Sequence, residues 1–211
     1  KTTAPTVLIQ TANAFSNDMG LSTRIHPDPW GDCTEPQTDC RDAFHGNTPT
    51  EHEVVDNLLD LTRFYSANLA VPARRDLNDP EVLAGKELFY QVGCISCHTP
   101  KFATSADADP EQRNQLIWPY SDFLLHDLGE GLADQNPSGS IGGAEWRTQP
   151  LWGIGMTEIV NGHTYFLHDG RARSLEEAIL WHGGEAEAAK DNFASLLAAE
   201  RKLIIRFLES L

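Results

Sequence analysis

The sequence predicts an all-α fold, in which a loop-rich extension over residues 1–78 precedes a helical domain over residues 79–211. Three observations predict this arrangement. Apolar residues recur at three- and four-residue steps in several segments, as on one face of an amphipathic helix. Helix-capping signals begin two of these segments. A polar, turn-prone segment over residues 73–79 separates the two parts and is the expected linker.

The extension is expected to be ordered loop over residues 1–50, where Thr, Asn, Asp, Pro and Gly dominate, with a short helix near residues 12–15. One long helix is predicted over residues 50–68 by an apolar repeat formed by Val54, Leu58, Leu61, Tyr65 and Leu69. Cys33 and Cys40 are expected to form a disulfide that closes a short loop, and two unpaired thiols are the alternative.

The helical domain is expected to begin with a helix whose N-cap is Asp79, followed by Pro80 at the first helical position. This helix leads to Gly93. Residues 99–170 are rich in glycine, proline and aromatic residues, and the best helical signal among them lies at 121–128. A stretch of this length with little regular structure indicates that a large apolar group supplies part of the core.

Two more helices are predicted near the end of the domain. Ser174 and Glu177 form the pattern of a capping box, and a glycine pair at 183–184 marks the end of that helix. The second helix, over residues 198–209, carries an apolar face that needs a partner helix.

Charge and hydropathy exclude two classes of partner. The formal net charge of −15, from 31 acidic and 16 basic residues, repels nucleic acid and anionic lipid and would favour basic protein partners. The alternative is that the acidic residues simply keep the surface soluble, and the charge alone indicates no specific partner. No apolar run approaches the ~18 residues of a membrane span. The N-terminal residues lack the layout of a secretory signal, so we expect that an export signal was removed or lies upstream.

The motif Gly93-Cys94-Ile-Ser-Cys97-His98 predicts one covalently attached c-type haem. The two thiols can add to the haem vinyl groups, and His98 is held where it becomes the proximal iron ligand. A redox-active dithiol would need a βαβ pattern and a zinc site a second ligand pair, and neither is evident. Covalent attachment follows export, so we expect the bacterial periplasm or cell envelope.

The residues before the motif resemble ordinary c-type cytochromes, because Gly85, Phe89 and Gly93 recur at four-residue steps. The resemblance implies a cytochrome c-like haem domain. In that fold the glycine lets the helix before the motif cross closely over a C-terminal helix bearing an aromatic residue, and Phe207 is expected to fill that role here. The alternative is that Gly85 is merely a tolerated helix glycine.

Three later segments, at residues 120–134, 145–153 and 166–178, resemble the C-terminal haem domain of bacterial di-haem oxidoreductases. That family is related to the di-haem cytochrome c peroxidases and is sometimes labelled thiol oxidoreductase. The resemblance covers nearly the whole chain. The chain departs from the family in having one C-x-x-C-H motif, so we expect that a first haem domain is missing and that it is a partner, together with an external electron-transfer protein.

The second axial ligand is predicted to be His182, which lies seven residues after Leu175 on the apolar face of its helix. In the related peroxidases this helix carries the methionine or tyrosine ligand, and His182 is similar to it in position. A surface histidine near a helix C-terminus is the alternative reading, and Met156 is the fallback ligand. The arginines expected to pair with the haem propionates, unless they are merely solvated, are Arg147, Arg171 and Arg173.

Two histidines on the iron would give a saturated, low-potential centre that transfers electrons. The predicted function is therefore electron relay within a di-haem oxidoreductase. The alternative is a peroxidase-like enzyme with an open or displaceable sixth site, and a free-standing electron carrier is a further class. The sequence assigns no catalytic residue and does not decide whether this chain alone is an enzyme.

Overall fold

The computed structural model describes residues 2–134 and 139–211, which form two compact units, Thr2–Ala70 and Val71–Leu211. The predicted domain limits, 1–78 and 79–211, stay a prediction. None of the helices in the described ranges has the length and hydropathy that crossing a membrane requires.

The Thr2–Ala70 unit contains three helices. They are α1 (Val7–Asn13), α2 (Thr38–Arg41) and α3 (Asp56–Ala67), and a π-helical segment, Ala14–Asp18, continues α1. The first helix thus begins earlier than expected, where the Thr6 side chain accepts the N–H of Ile9. A small apolar cluster is buried where α1 packs on α3, and it consists of Ala12, Val54 and Leu59.

Two expectations for this unit have clear outcomes. Cys33 and Cys40 form a disulfide, with a Cα–Cα distance of 6.2 Å. The predicted helix at 50–68 is shorter, because residues before Asp56 form loops that bond to the region of Ser22. Leu59 is the buried residue of α3, whereas most of the predictive repeat is exposed, namely Leu58, Leu61, Tyr65 and Leu69.

The core of the Val71–Leu211 unit is the crossing of α4 (Pro80–Gln91) and α8 (Ala198–Glu209). Asp79 caps α4 as predicted, since its Oδ1 accepts the N–H of Glu81 at 2.8 Å. A Cβ atom at Gly85 would collide with the carbonyl group of Leu203, so only glycine permits this approach. The predicted close crossing is confirmed.

Three aromatic rings fill the space beside this crossing. The ring centroid of Phe207 lies 5.3 Å from that of Phe89 and 5.5 Å from that of Tyr120, and all three side chains are buried. Tilted and edge-on contacts of this kind add to the stability that apolar burial provides.

Three further α-helices follow in the described part of this unit: α5 (Thr157–Asn161), α6 (Leu175–Leu180) and α7 (Glu187–Ser195). Ser174 caps α6 and accepts the N–H of Glu177 at 3.0 Å. In a capping box the Glu177 side chain would accept the N–H of Ser174. Here the Glu177 carboxylate accepts the N–H of Arg173 instead. The helix ends at Leu180, before the predicted glycine stop.

The all-α prediction is wrong, because the same unit contains two small antiparallel sheets. Strand β1 (Phe102–Ala103) pairs with β2 (Leu116–Ile117), and β3 (Leu125–Asp127) pairs with β4 (Glu145–Arg147). The helix predicted over residues 121–128 is replaced by β3. The physical reason is that β3 gains its hydrogen bonds from a strand distant in sequence, which local periodicity does not reveal.

Candidate functional site

A cavity of about 330 Å³ lies within the Val71–Leu211 unit. Its walls are mainly apolar and come from the helix crossing, from the sheet of β3 and β4, and from α6. The apolar residues that line it include Phe89, Leu128, Leu151, Phe166, Leu175 and Ile179. This size and lining are typical of a site for a small molecule or cofactor.

The C-x-x-C-H motif forms part of the cavity wall. Gly93 has a φ of +95°, a left-handed conformation that glycine adopts readily, and it turns the chain from α4 into a 3₁₀ helix at Cys94–Ser96. Cys94, Cys97 and His98 all line the cavity. Cys94 and Cys97 are free thiols. The turn therefore presents two thiols and one imidazole to the same space.

The protonation of these thiols bears on the redox-dithiol alternative. Burial raises the pKa of Cys94 to about 12. Burial also raises the pKa of Cys97, and the carboxylates of Asp122 and Glu185 raise it further. A reactive dithiol requires a lowered thiol pKa, because the thiolate is the nucleophile. This environment does not favour thiol–disulfide exchange.

His98 is held by the backbone of the segment that follows β2. Its Nδ1 donates to the carbonyl oxygen of Tyr120 at 2.8 Å. Burial lowers the pKa of His98 to about 4, so the ring is neutral at pH 7. A neutral imidazole whose Nδ1 donates to a carbonyl offers Nε2 as a metal ligand, an arrangement common at metal sites.

His182 lies just after α6 and lines the same cavity. Its Nδ1 donates to the carbonyl oxygen of Ala178 at 2.8 Å, and burial lowers its pKa. A charge on His182 would further lower the pKa of His98, after the larger effect of burial. The structure thus brings the two predicted axial residues to one cavity, each with Nε2 as the remaining ring nitrogen.

The other predicted residues differ in their relation to the cavity. Arg147 lines it from β4, and its Nη2 donates to Gln149 at 3.2 Å. Arg171 pairs with Asp169 and Arg173 with Glu177, and neither arginine is among the described lining residues of this cavity. Met156 belongs to a 3₁₀ helix that contributes Ile154 to the lining, but Met156 itself is not among the described lining residues.

Sequence reasoning did not identify two carboxylates at the site. His126 lines the cavity and lies between Asp122 and Glu185, with Nε2 2.8 Å from Asp122 Oδ2 and Nδ1 2.9 Å from Glu185 Oε2. Neither acid belongs to a recognisable motif. A helix over residues 121–128 would place Asp122 and His126 on one face, so their proximity could be predicted from the sequence. No feature of the neighbouring sequence predicts that Glu185 lies close to them.

A donor cluster of Cys97, Asp122 and His126 also lies at this wall, with ligand atoms within 4.8 Å of one another. Thiolate, carboxylate and imidazole groups are ligand types that bind metal ions. Both ring nitrogens of His126 are already hydrogen-bonded to carboxylates, so the cluster is better described as a hydrogen-bonded network.

A family model described as "Di-haem oxidoreductase, putative peroxidase" matches residues 1–211. The chain belongs to the di-haem oxidoreductase family. The family resemblance predicted from three sequence segments is therefore confirmed, and membership supports haem as the cofactor and an oxidoreductase function.

The comparison with solved structures finds hydrazine synthase from Kuenenia stuttgartiensis, with 18% sequence identity and a TM-score of 0.50. The match covers 76% of the di-haem oxidoreductase chain and 57% of the hydrazine synthase chain. At this identity the similarity shows the fold alone. The comparison with curated proteins gives no match.

Proposed function

We propose that this chain binds one haem covalently through Cys94 and Cys97, with His98 and His182 as the axial iron ligands, and relays electrons within a di-haem oxidoreductase. One observation carries the proposal: both histidines line one apolar cavity, and each donates Nδ1 to a backbone carbonyl oxygen. The two Nε2 atoms are thereby available as a ligand pair.

The residues of the cavity fit a c-type haem. Two free thiols stand at the motif's spacing, two neutral imidazoles supply nitrogen ligands, and the apolar lining suits a large flat macrocycle. When bound, the haem supplies an iron that accepts and releases one electron. The chain's own part is to hold the ligands, to exclude water with its apolar walls, and to lower the potential by using imidazole where methionine would raise it.

Arg147 is the proposed partner of a haem propionate, because it lines the cavity and its partner there is a neutral amide. The same role for Arg171 and Arg173 has less support. Each of these arginines is engaged by a neighbouring carboxylate, which competes with a propionate for the guanidinium.

The proposed partners are a first haem domain of the same oxidoreductase and an external electron-transfer protein. A net charge of −15 favours a basic surface on the external partner. The Cys33–Cys40 disulfide supports an oxidising compartment such as the bacterial periplasm.

The alternative function is that of a peroxidase-like enzyme, which the family's description favours. It requires an open or displaceable sixth position on the iron. A protein with His182 on the iron has that position closed, so identifying the sixth ligand separates the two functions.

The test is the His182→Ala variant of the haem-loaded protein. We expect haem to stay attached on extraction with acidified organic solvent, because the thioether bonds are intact. We expect the low-spin ferric spectrum of the wild type to become high-spin, since one strong-field ligand is lost. The readouts are the visible absorption spectrum and the rate of cyanide binding.

The control is His163→Ala, which removes a histidine that is exposed and stacks on Tyr165. An unchanged low-spin spectrum in His182→Ala would contradict the proposed ligand and direct the same experiment to Met156. A high-spin wild-type spectrum would favour the open-site enzyme.

A further inference from the structure

His126 connects the two loops that carry His98 and His182, the proposed iron ligands. Its role in holding these ligands therefore rests on the proposed function. Its side chain is 16% exposed and lines the cavity. Nε2 is bonded to Asp122 and Nδ1 to Glu185, at 2.8 and 2.9 Å. The ring is therefore a bridge between two carboxylates that belong to different parts of the unit.

The Asp122 end of this bridge is fixed to the haem-attachment loop. The N–H of Asp122 donates to the carbonyl oxygen of Cys97 at 2.8 Å, next to His98. The Asp122 carboxylate also accepts the N–H of Leu124 at 2.9 Å, and its side chain is 11% exposed. Asp122 therefore has little freedom to move relative to the motif.

The Glu185 end is fixed to the loop that carries His182. Glu185 lies three residues after His182, and its Oε1 accepts the N–H of Asp127 at 3.0 Å. Between them, Gly184 has a φ of +55° and packs so closely on β3 that a Cβ atom would collide with the carbonyl oxygen of Asp127. This loop is thus attached to the strand that bears His126.

The charges strengthen the bridge. Burial opposes a charge on His126, but the hydrogen bonds and negative charges of Glu185 and Asp122 outweigh it and raise the pKa of the ring. A protonated imidazole between two carboxylates makes two charge-assisted hydrogen bonds, which are stronger than neutral ones. Two further cationic side chains line this cavity, Arg147 from β4 and Lys190 from α7.

We infer that His126 is a positioning residue: it holds the His98 loop and the His182 loop at a fixed separation and so keeps the sixth position of the iron closed to added ligands. With the bridge intact, His182 stays on the iron and the centre transfers electrons. With the bridge broken, an added ligand can displace His182. Breaking the bridge frees the His182 loop without removing either ligand.

The test is cyanide binding to the haem-loaded ferric protein, measured by stopped-flow absorbance. Glu185→Ala breaks one end of the bridge and leaves the His126 ring in the cavity. Because Glu185 is more than half exposed, the variant is expected to fold. We expect cyanide to bind about 10–100-fold faster, the range typical of lost support to a metal-bound histidine. Glu185→Gln keeps one of the two acceptor oxygens and lacks the charge, so its rate is expected to lie between those of the wild type and Glu185→Ala.

The control is Glu158→Ala, which removes an exposed acid from α5. A Glu185→Ala rate equal to the wild-type rate, in a protein whose wild type is low-spin, would overturn the inference alone. A Glu185→Gln rate equal to or above that of Glu185→Ala would likewise overturn it. A high-spin wild-type spectrum would contradict the proposed ligation as well, so the two failures are distinguishable.

Discussion

Tyr120 has two structural roles: its backbone carbonyl group orients a histidine of the site, and its ring packs in the core. Its carbonyl oxygen accepts the Nδ1–H of His98, and its ring packs edge-on against Phe89 and Phe207. The residue has a φ of +50°, which is uncommon for a side chain of this size. Dense aromatic packing holds this conformation in place, so the orientation of the proximal histidine depends on the core.

Phe207 is fully buried and contacts both of the other rings. The Phe207→Ala variant is expected to lower the free energy of unfolding by about 3–5 kcal/mol, because it leaves a cavity between two other buried rings. The measurement is denaturant unfolding of the haem-loaded protein, followed by haem absorbance. Phe44→Ala is the control, since the Phe44 side chain is fully exposed and its loss should leave stability nearly unchanged. Equal losses in both variants would contradict the packing argument.

At the residue scale, the sequence predicts those site residues that are neighbours in the chain. Six neighbouring residues contain both thiols and His98, so the motif is recognisable without a fold. Helical periodicity predicts His182 as a ligand although the residue lies after α6 and not within it, and that role stays a prediction. Glu185 was missed because its partner His126 is 59 residues away in the chain. Contacts that form only on folding leave no local signal.

At the scale of elements, the approach of α4 to α8 depends on one missing side chain. Gly85→Ala is expected to destabilise the Val71–Leu211 unit by about 1–3 kcal/mol, because the added methyl group overlaps the Leu203 backbone and forces the helices apart. This cost outweighs the ~1 kcal/mol by which alanine favours a helix over glycine.

The matched control is Gly131→Ala, where the nearest atoms belong to Trp181 and lie at 3.9 Å, an ordinary contact distance. Thermal unfolding of both variants gives the comparison. A Gly85→Ala protein as stable as Gly131→Ala would show that the helices separate without cost.

The helix starts that the sequence predicts correctly are those whose capping signal lies within the first turn of the helix. Asp79 and Ser174 are N-caps in the structure as predicted, because a cap bonds within its own first turn. Strand β3 was mistaken for a helix, since its pairing with β4 spans a long loop. Short strands of two or three residues have too few positions to show an alternating pattern.

At the scale of the whole molecule, the Thr2–Ala70 unit responds to acid through Glu53. Its carboxylate accepts the N–H groups of Ser22 and Gly46 at 3.0 and 2.8 Å, and these bonds lower its pKa below 4.5. The stabilisation is complete above the unfolded pKa and is lost as pH falls through the lower, folded pKa. Glu53→Gln is expected to cost about 1–3 kcal/mol at pH 7.

The measurement is the unfolding free energy of the wild type and Glu53→Gln from about pH 7 down to about pH 3, with the difference expected to shrink as pH falls. Amide hydrogen exchange at Ser22 and Gly46 locates the effect. Glu51→Gln is the control, because Glu51 is exposed. A difference that stays constant with pH would show that the charge of Glu53 plays no part.

The crossing of α4 and α8 also has a consequence for the way haem reaches its site. The two helices lie far apart in the sequence, and contacts between distant segments form slowly. The thiols of Cys94 and Cys97 therefore lie beside an open core until α8 packs onto the Gly85 face of α4. We expect haem to be attached to the exported chain before this crossing closes.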